Sequence, residues 1–473
     1  MSPNTTMLVS QRLARPFGAR DQFHAPADVA PAGARTGAVG YALFLVLNAV
    51  LFLRPTELIP DLEELPIYEI IILSCMAFSW KPLWERLQGG ALARQPVTAC
   101  VLGLWVAATL SQLSHAHLEG TWTAAKDFGK VVIYYLLLVG LVSDAGRLRL
   151  FLHALVLYTS SVTVLALLQY HGVIEVDALT TLKEKGDFND LTGDWNVFLR
   201  LRGPGIFNDP NDLCLILLVG MGICMWKTLE RGSGVRRFAW IALIGLFGYA
   251  LGLTQSRGGF IALAAMCLVL FWARFGWRRA LALGLLVLPP LLFVFGERQT
   301  SLSATSGTGQ ERIRLWSFAL QSLRHAPLFG IGFGQFEEQE GLVAHNSYVH
   351  AFAELGFIGG TLFLGAFYCA VAGLVRAQEW RISSMTPELA RLRPYLIAIL
   401  VGYGTAILAL TRTYTVPTYL PLGLATGFLD ITGSSVLAGS EKCNLGLVGR
   451  LMALGCGFVL LIYLVVRSLA VWH

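Results

Sequence analysis

Residues 256–279 read SRGGFIALAAMCLVLFWARFGWRR. An unbroken apolar run occupies residues 258–273, a short turn containing Arg257 precedes it, and three arginines follow it. A helix needs roughly 20 predominantly apolar residues to cross the hydrocarbon core of a bilayer, and basic residues flank such helices mainly on the cytoplasmic side. The stretch therefore predicts a membrane-spanning helix whose C-terminal end faces the cytoplasm.

The same pattern recurs along the whole sequence of 473 residues, of which 55% are hydrophobic and only 14% are charged. A soluble domain carries roughly a quarter charged residues. Candidate spans lie at residues 39–54, 66–80, 97–113, 127–143, 149–170, 206–226, 237–254, 258–273, 279–296, 345–373, 394–411 and 448–468. A further apolar segment, residues 416–434, contains two prolines and is compatible with crossing, re-entering or lying flat. The expected fold is an all-α integral membrane protein with about 12 transmembrane helices, 12 or 13 according to that segment.

The basic excess and the cysteines do not indicate a nucleic-acid-binding or metal-binding protein. The formal net charge is +6, but the Lys and Arg residues lie mostly in short loops between apolar runs. The eight cysteines are scattered and form no CxxC pair, so neither a metal site nor a disulfide framework is expected. Residues 1–36 lack an apolar core, which predicts a flexible cytoplasmic tail rather than a cleavable signal peptide.

The distribution of Lys and Arg assigns the loops to two sides of the membrane. Basic residues follow every second span, at residues 81–94, 147–149, 227–237, 274–279 and 376–393. These loops should face the cytoplasm. The long loops at residues 171–205 and 297–344 fall on the other side, and loops of such length are often functional. We therefore expect a helical bundle over residues 37–296, an external loop over residues 297–344, and the second part of the bundle over residues 345–473.

Three segments place basic or titratable residues at the outer start of a span. They are Arg200-Leu-Arg202-Gly-Pro-Gly-Ile-Phe-Asn208-Asp209-Pro210-Asn211, Thr254-Gln-Ser256-Arg257-Gly258-Gly259 and Ala344-His345-Asn346-Ser347-Tyr348. A helix N-terminus favours an anion, and Arg adds a planar fork that binds phosphate through two hydrogen bonds. If these starts converge, Arg202 and Arg257 would bind a diphosphate. His345 would be the natural proton acceptor, because an ordinary histidine titrates near neutrality.

Each of these residues also has a simpler interpretation. Arginines at a membrane surface commonly extend to lipid headgroups, and this interpretation is favoured for Arg200. His345 could be a helix cap or a surface residue. Glu354, nine residues further along the same span, is an acid inside the membrane, which is costly unless the group is functional or paired. Because that offset places Glu354 on the opposite face from His345, we expect it to hold neighbouring helices together.

The region from Arg312 to Gly356 resembles the domain shared by O-antigen ligases and O-antigen polymerases. The matching motifs are Arg312-Ile-Arg314-Leu-Trp316, Pro327-Leu-Phe-Gly330-Ile-Gly332-Phe-Gly334-Gln-Phe336, His345-Asn346-Ser347-Tyr348 and Glu354-Leu-Gly356. Upstream, the segments around Arg202 and Arg257 are similar to two further basic motifs of the family. The order, spacing and common sidedness of the motifs are more specific than any one of them, and the likeness in topology covers roughly residues 40–470.

The resemblance implies a glycosyltransferase of the C superfamily in the bacterial inner membrane, with loop 297–344 in the periplasm over the active site. The donor would be a glycan on undecaprenyl diphosphate, and the acceptor would be lipid A-core, a second glycan chain or a protein hydroxyl. The residues concerned are His345 as the catalytic base, Arg202, Arg257 and Arg312 as ligands of the diphosphate, and Asn346, Tyr348, Glu354 and Asn211 as supporting residues. The implied reaction inverts the anomeric centre and uses no metal or other cofactor. The expected partners are these substrates and membrane lipids, without nucleic acid.

Two features depart from a simple match to the family. Asp209 adds an acid beside the expected diphosphate site, which would weaken anion binding unless its carboxylate faces away. Arg314 stands close to Arg312 and could occupy the same motif position. Arg312 is favoured because it precedes Trp316 by four residues.

The motifs leave several functions open. Transfer to lipid A-core by an O-antigen ligase is the leading hypothesis. A polymerase that extends an O-antigen or exopolysaccharide, and an O-linked protein oligosaccharyltransferase, would share the fold and differ in the acceptor. A transporter is the alternative from another class, and transporters carry midplane charges and paired broken helices. Apart from Glu354, the spans contain few charges, and the two halves show no evident repeat.

Overall fold

A computed structural model describes residues 37–62, 64–176, 179–189, 194–230, 234–276, 278–282, 284–285, 308–377, 386–433 and 444–469. The helices before the hairpin are α1 (Ala38–Leu53), α2 (Pro55–Leu58), α3 (Ile67–Phe78), α4 (Trp80–Leu87), α5 (Gly89–Leu92), α6 (Pro96–Leu113), α7 (Leu118–Leu141) and α8 (Ala145–Tyr170). The hairpin strands are β1 (Leu182–Asn189) and β2 (Asp194–Arg200). The later helices are α9 (Pro210–Thr228), α10 (Arg236–Thr254), α11 (Arg257–Phe275), α12 (Thr308–His325), α13 (Gln335–Glu340), α14 (Ser347–Arg376), α15 (Pro387–Ala406), α16 (Val416–Ile431) and α17 (Leu445–Leu469).

The long helices are those of a multi-pass membrane protein. Seven helical segments in the described residues are long and apolar enough to cross a membrane, and two shorter apolar helices accompany them. The expected class, a predominantly helical membrane protein, is confirmed. The predicted span at residues 279–296 and the predicted tail at residues 1–36 lie largely or wholly outside the described residues.

Three helices that begin at one end of the bundle have side-chain caps. In α9 the carboxylate of Asp209 accepts a hydrogen bond from the backbone N–H of Asn211 at 2.7 Å. In α11 the hydroxyl of Ser256 accepts from the backbone N–H of Gly259 at 3.1 Å. In α14 the side chain of Asn346 accepts from two backbone N–H groups at 3.0 and 3.1 Å. These caps satisfy donors that the first helical turn leaves unpaired, so each helix begins at a defined residue.

The centre of the bundle is formed by α9 and α16. Helix α9 is buried along nearly its whole length and packs against α8, α10, α11 and α15. Helix α16 is likewise buried from Pro417 to Phe428 and packs against α7, α14 and α15. A helix that is apolar all round belongs in such an interior position, because it has no polar face to present to water.

Helix α16 runs from one end of the bundle to the other. The sequence had left open whether this segment crosses. Near its start, Thr418 Oγ1 donates to the carbonyl of Arg412 at 2.6 Å. Near its end, the carboxylate of Asp430 accepts from Gln95 Nε2 at 2.7 and 2.8 Å and pairs with Arg86. Arg86 and Gln95 belong to the basic stretch between α3 and α6. The segment therefore crosses the bundle toward the side that the sequence assigns to the cytoplasm, over about 24 Å.

The stretch between α8 and α9 contains an antiparallel hairpin that the sequence did not predict. The strands pair from Leu182 opposite Arg200 to Asn189 opposite Asp194. Strand β1 reads LKEKGDFN and has no apolar alternation, so the usual signal for a half-buried strand is missing. The all-α prediction thus needs this one addition, and the hairpin brings Arg200 to the end of β2.

Helix α14 is interrupted at Gly356, where φ is 65° and ψ is −165°. The carbonyls of Ala353 and Glu354, just before the break, accept hydrogen bonds from the backbone N–H groups of Ile331 and Gly332, each at 3.0 Å. The loop before α13 therefore supplies the donors that the broken helix lacks. The first turns of α14 and this loop form one hydrogen-bonded unit.

Two glycines allow that contact between backbones. A Cβ atom on Gly330 would lie 2.4 Å from the carbonyl oxygen of Glu354, and one on Gly356 would lie 2.4 Å from that of Leu328. Both glycines also have positive φ, at 69° and 65°. Any side chain at either position would collide with the opposite backbone in a conformation that favours glycine.

Candidate active site

The first turn of α11 makes two close approaches to other elements. A Cβ atom on Gly258 would lie 2.9 Å from Ala409 Cβ, in the connection between α15 and α16, and one on Gly259 would lie 2.7 Å from Cys214 Sγ on α9. Without side chains at these positions, α11 can begin against both neighbours. Arg257, the first residue of α11, therefore lies where three elements meet.

The end of β2 packs against the turn between α10 and α11. The backbone N–H of Leu201 donates to the carbonyl of Leu253 at 3.0 Å, and Arg200 Nε donates to the carbonyl of Thr254 at 2.9 Å. Arg200 Nη2 also donates to Asn211 Oδ1 at 3.3 Å, at the start of α9. Arg200 thus joins the end of α10 to the start of α9, and Asn211 supports that junction.

Arg202 is held by a different part of the chain. Its Nη2 donates to Thr180 Oγ1 at 2.7 Å, and its Nε donates to the carbonyl of the same residue. Thr180 lies in the segment before β1. The structure therefore brings Arg200, which sequence reasoning disfavoured, to the junction next to Arg257, whereas Arg202 contacts the segment preceding the hairpin.

Arg312 on α12 is close enough to Arg257 and His345 for their charges to interact. Burial lowers the pKa of Arg312, and the nearby charge of Arg257 lowers it further. Arg314 lies on the exposed face of the same helix and pairs with Glu340 at 3.2 Å. The two closely spaced arginines therefore have separate surroundings, and Arg312 is the one that adds a second cation next to the Arg257 turn.

His345 occupies a constrained position just before α14. Its φ is 49°, in the left-handed region that few residues with side chains adopt. On one side, the carbonyl of Ala344 accepts a hydrogen bond from Trp316 Nε1 at 3.0 Å. On the other, the N–H of Ser347 donates to the carbonyl of Ile407 at 2.9 Å. Both neighbouring segments thus fix the backbone of His345 between α12 and the end of α15.

The electrostatic surroundings of His345 favour its neutral form. Burial lowers its pKa below the ordinary histidine value, and the charges of Arg312 and Arg412 lower it further. The carboxylates of Glu311 and Asp209 act in the opposite direction without reversing the shift. A neutral imidazole can accept a proton, so the environment suits a general base at near-neutral pH.

Tyr348 and Glu354 make their side-chain contacts inside the bundle. The hydroxyl of Tyr348 donates to the carbonyl of Gly404 at 3.2 Å inside the bundle. The fully buried carboxylate of Glu354 accepts from the backbone N–H of Phe336 at 3.1 Å and contacts His350 Nε2 at 3.3 Å. Glu354 thereby links α14 to the start of α13, and Tyr348 links α14 to α15.

Sequence reasoning missed Arg412, which lies in the connection between α15 and α16. Its Nε and Nη2 donate to the two carboxylate oxygens of Asp212 at 2.6 and 2.5 Å, and its backbone N–H donates to Ser347 Oγ at 2.8 Å. A signal was present in the sequence. Like Arg257, Arg412 is a basic residue placed at the outer end of a span immediately before the next apolar helix.

An apolar groove lies beside the same end of the bundle. It has a volume of about 700 Å³ and is lined by side chains of α14, α15 and α17. Tyr348 lines it near His345, and Arg376 lines it at the far end of α14. The groove therefore follows the length of α14 from the neighbourhood of His345 toward the opposite face of the bundle.

Long apolar helices define a multi-pass membrane protein. At one end of them Arg257 and Arg312 form a cation cluster next to His345, which gives the bundle a polar centre on that side. Residues 240–364 match the model of a protein family described as O-antigen ligase. This match confirms the family resemblance predicted from the motifs, and its range contains Arg257, Arg312 and His345. Members of the family are ligase-like glycosyltransferases. A comparison with curated proteins found no match.

Proposed function

We propose that this protein transfers a glycan from undecaprenyl diphosphate to a hydroxyl group of lipid A-core on the periplasmic side of the inner membrane. The observation that carries the proposal is that α12 is bonded to Ala344, next to His345, and that the charge of Arg312 interacts with both His345 and Arg257. A proton acceptor and two permanent cations within one half-buried site match the needs of transfer from a diphosphate. The family match covers all three residues.

The chemical step follows from these assignments. His345 accepts the proton of the acceptor hydroxyl while that oxygen forms a bond to the anomeric carbon. The bond between that carbon and the diphosphate oxygen breaks, and its electron pair remains on the departing diphosphate. Arg257 and Arg312 stabilise the charge that develops there, because their guanidinium groups stay protonated throughout the physiological pH range. Attack from the side opposite the leaving group inverts the anomeric centre.

The arginines on the hairpin side have a secondary place in the proposal. Arg202 is proposed as a further ligand of the diphosphate, although its guanidinium contacts Thr180 in the structure. Arg200, which reaches Asn211 at the start of α9, is the competing candidate for that role. Separate alanine substitutions distinguish the two arginines. Replacing the one that binds the diphosphate should raise the KM for the donor more than replacing the other.

The apolar groove suits the lipid chain of the donor. It begins near Tyr348, three residues beyond His345, and it has a volume of about 700 Å³. A polyprenyl chain in this groove would hold the diphosphate at the end of the bundle where the cations cluster. Binding energy from the chain, which does not react, would thereby position the bond that breaks.

A reconstituted assay tests the proposed function. Purified protein in liposomes is given undecaprenyl-diphosphate-linked glycan and lipid A-core, and the products are separated on a gel. Glycan attached to lipid A-core supports the ligase. Growth of the glycan on its own lipid would instead identify a polymerase, and transfer to a secreted protein would identify an O-linked oligosaccharyltransferase. No reaction with any of these acceptors would contradict the proposal.

A further inference from the structure

A second polar cavity lies next to the cation cluster and is not used by the chemistry described above. Its volume is about 200 Å³. Four polar residues line it, Asn208, Asp212, Arg412 and Thr415, and its apolar walls include Phe207. The cavity thus combines hydrogen-bonding groups with an apolar surface in a space much smaller than the apolar groove.

The charge of this cavity is nearly balanced. Arg412 and Asp212 form a fork with hydrogen bonds of 2.6 and 2.5 Å, and Arg412 Nη1 also donates to the carbonyl of Thr411 at 2.7 Å. A guanidinium has five N–H groups, so these three bonds leave two N–H groups for other partners. Asp209 adds a further carboxylate nearby, close enough to act on both Arg412 and His345.

This balance decides the class of ligand. A phosphate would be repelled by the carboxylates of Asp212 and Asp209, and the proposed function already assigns the diphosphate to Arg257 and Arg312. A sugar ring carries no charge and presents several hydroxyl groups, each able to donate and accept. The amide of Asn208, the hydroxyl of Thr415 and the open edge of Arg412 match such groups.

The position of the cavity relates it to the reacting atoms. Arg412 is close enough to His345 to lower its pKa, and its backbone N–H is bonded to Ser347 two residues beyond that histidine. A ring in the cavity would therefore lie beside the proton acceptor rather than along the apolar groove. We propose that the cavity lined by Asn208, Asp212, Arg412 and Thr415 is a subsite for one pyranose ring, an inference that rests on the proposed glycan transfer.

The ring could come from the donor glycan or from the acceptor, and binding measurements separate these sources. Three probes are offered to the purified protein in detergent: undecaprenyl diphosphate without sugar, undecaprenyl-diphosphate-linked glycan, and free core oligosaccharide. The variants are Asn208→Ala and Thr415→Val, which alter the cavity without touching Arg257, Arg312 or His345. Dissociation constants are measured by microscale thermophoresis.

We expect both variants to weaken binding of a sugar-bearing probe roughly 3- to 10-fold, as for loss of one hydrogen bond. Binding of the sugar-free lipid should stay unchanged. If only the lipid-linked glycan binds less tightly, the ring belongs to the donor, and if only the oligosaccharide does, it belongs to the acceptor. Thr228→Val is the matched control, because Thr228 lies at the opposite end of α9 from the cavity and its hydroxyl donates to the carbonyl of Cys224 in its own helix.

Two results would overturn the inference. Unchanged binding of both sugar-bearing probes would show that the cavity does not hold a ring, and equal weakening of the sugar-free lipid would show that the substitutions act through the fold. Failure of the proposed function would look different. In that case the unaltered protein would bind neither undecaprenyl diphosphate nor its glycan-linked form, while the free oligosaccharide would still test the cavity.

Discussion

Trp316 and Ala344 are joined by a hydrogen bond of 3.0 Å from the indole Nε1 of the first to the carbonyl of the second. Ala344 immediately precedes His345, so this bond fixes α12 against the residue proposed as the base. Phenylalanine at position 316 would keep most of the packing and remove the donor. We expect Trp316→Phe to lower kcat between about 10- and 100-fold through misplacement of the imidazole. Initial rates in the liposome assay, compared at equal protein level, measure the effect.

The matched control for that change is Trp272→Phe, since Trp272 is 54% exposed near the end of α11 that is far from Arg257. This control should keep full activity. A Trp316→Phe variant with an unchanged kcat would mean that the hydrogen bond does not position His345.

The pH dependence of transfer should report the neutral form of His345. Since burial and then Arg312 lower its pKa, the rate should be constant at neutral pH and fall only as the pH drops through that lowered value. Glu311→Gln removes a charge that raises the pKa, so the acidic limb of the kcat profile should move to lower pH. Arg312→Gln removes a charge that lowers it, so the residual activity should move its limb to higher pH. Shifts in the same direction for both variants would contradict the assignment.

The two arginines of α12 offer a paired test of the diphosphate site. Arg312→Ala should reduce transfer by about 100-fold or more, as for loss of one group that stabilises a developing charge. Arg314→Ala removes an exposed ion pair with Glu340 and should change the rate by less than about twofold. Comparable losses in both variants would place the site elsewhere on α12.

Asparagine is the informative substitution at position 345. The φ of 49° is tolerated by asparagine better than by alanine, so His345→Asn removes the base with little added backbone strain. We expect a loss of transfer of roughly 10²- to 10⁴-fold with normal insertion and accumulation in the membrane. Arg257→Ala should likewise abolish transfer while the protein accumulates normally. Full activity in either variant would remove that residue from the mechanism.

The contact between α11 and α9 should be sensitive to a single methyl group. A Cβ atom at Gly259 would lie 2.7 Å from Cys214 Sγ, so Gly259→Ala should destabilise the protein by about 1–3 kcal/mol. Adding Cys214→Ala removes the sulfur and should restore part of the loss. Thermal unfolding of the purified single and double variants tests this, and an equally unstable double variant would show that another contact is limiting.

The membrane class and most helix positions could be predicted, because the length of an apolar run is a local signal in the sequence. The caps at Asp209, Ser256 and Asn346 are local too, since each needs only a few residues in sequence. The hairpin could not be predicted, because strand β1 carries Lys, Glu and Asp without alternation and is defined by its pairing with β2. Whether the segment after Pro417 crosses the bundle was equally invisible, since Asp430 finds its partners more than 300 residues away.

The candidate site was also predictable only where its signals are local in the sequence. Arg257, Arg312 and His345 stand in motifs, so their types and order could be named before their proximity was known. Arg412 stands in no recognised motif, and its importance comes from a contact with Asp212 across 200 positions of the sequence. The choice between Arg200 and Arg202 also depended on long-range contacts, with Thr254 for one and Thr180 for the other.

The break in α14 has a mechanical consequence for the site. The backbone N–H groups of Ile331 and Gly332 donate to the carbonyls of Ala353 and Glu354. The loop before α13 therefore cannot move away from α14, the helix that starts beside His345, without breaking these hydrogen bonds. The sequence predicted only that loop 297–344 lies over the site. Its stretch at Ile331 and Gly332 is fixed to the same helix that begins beside the base. Substrates must then reach a base that is already in place.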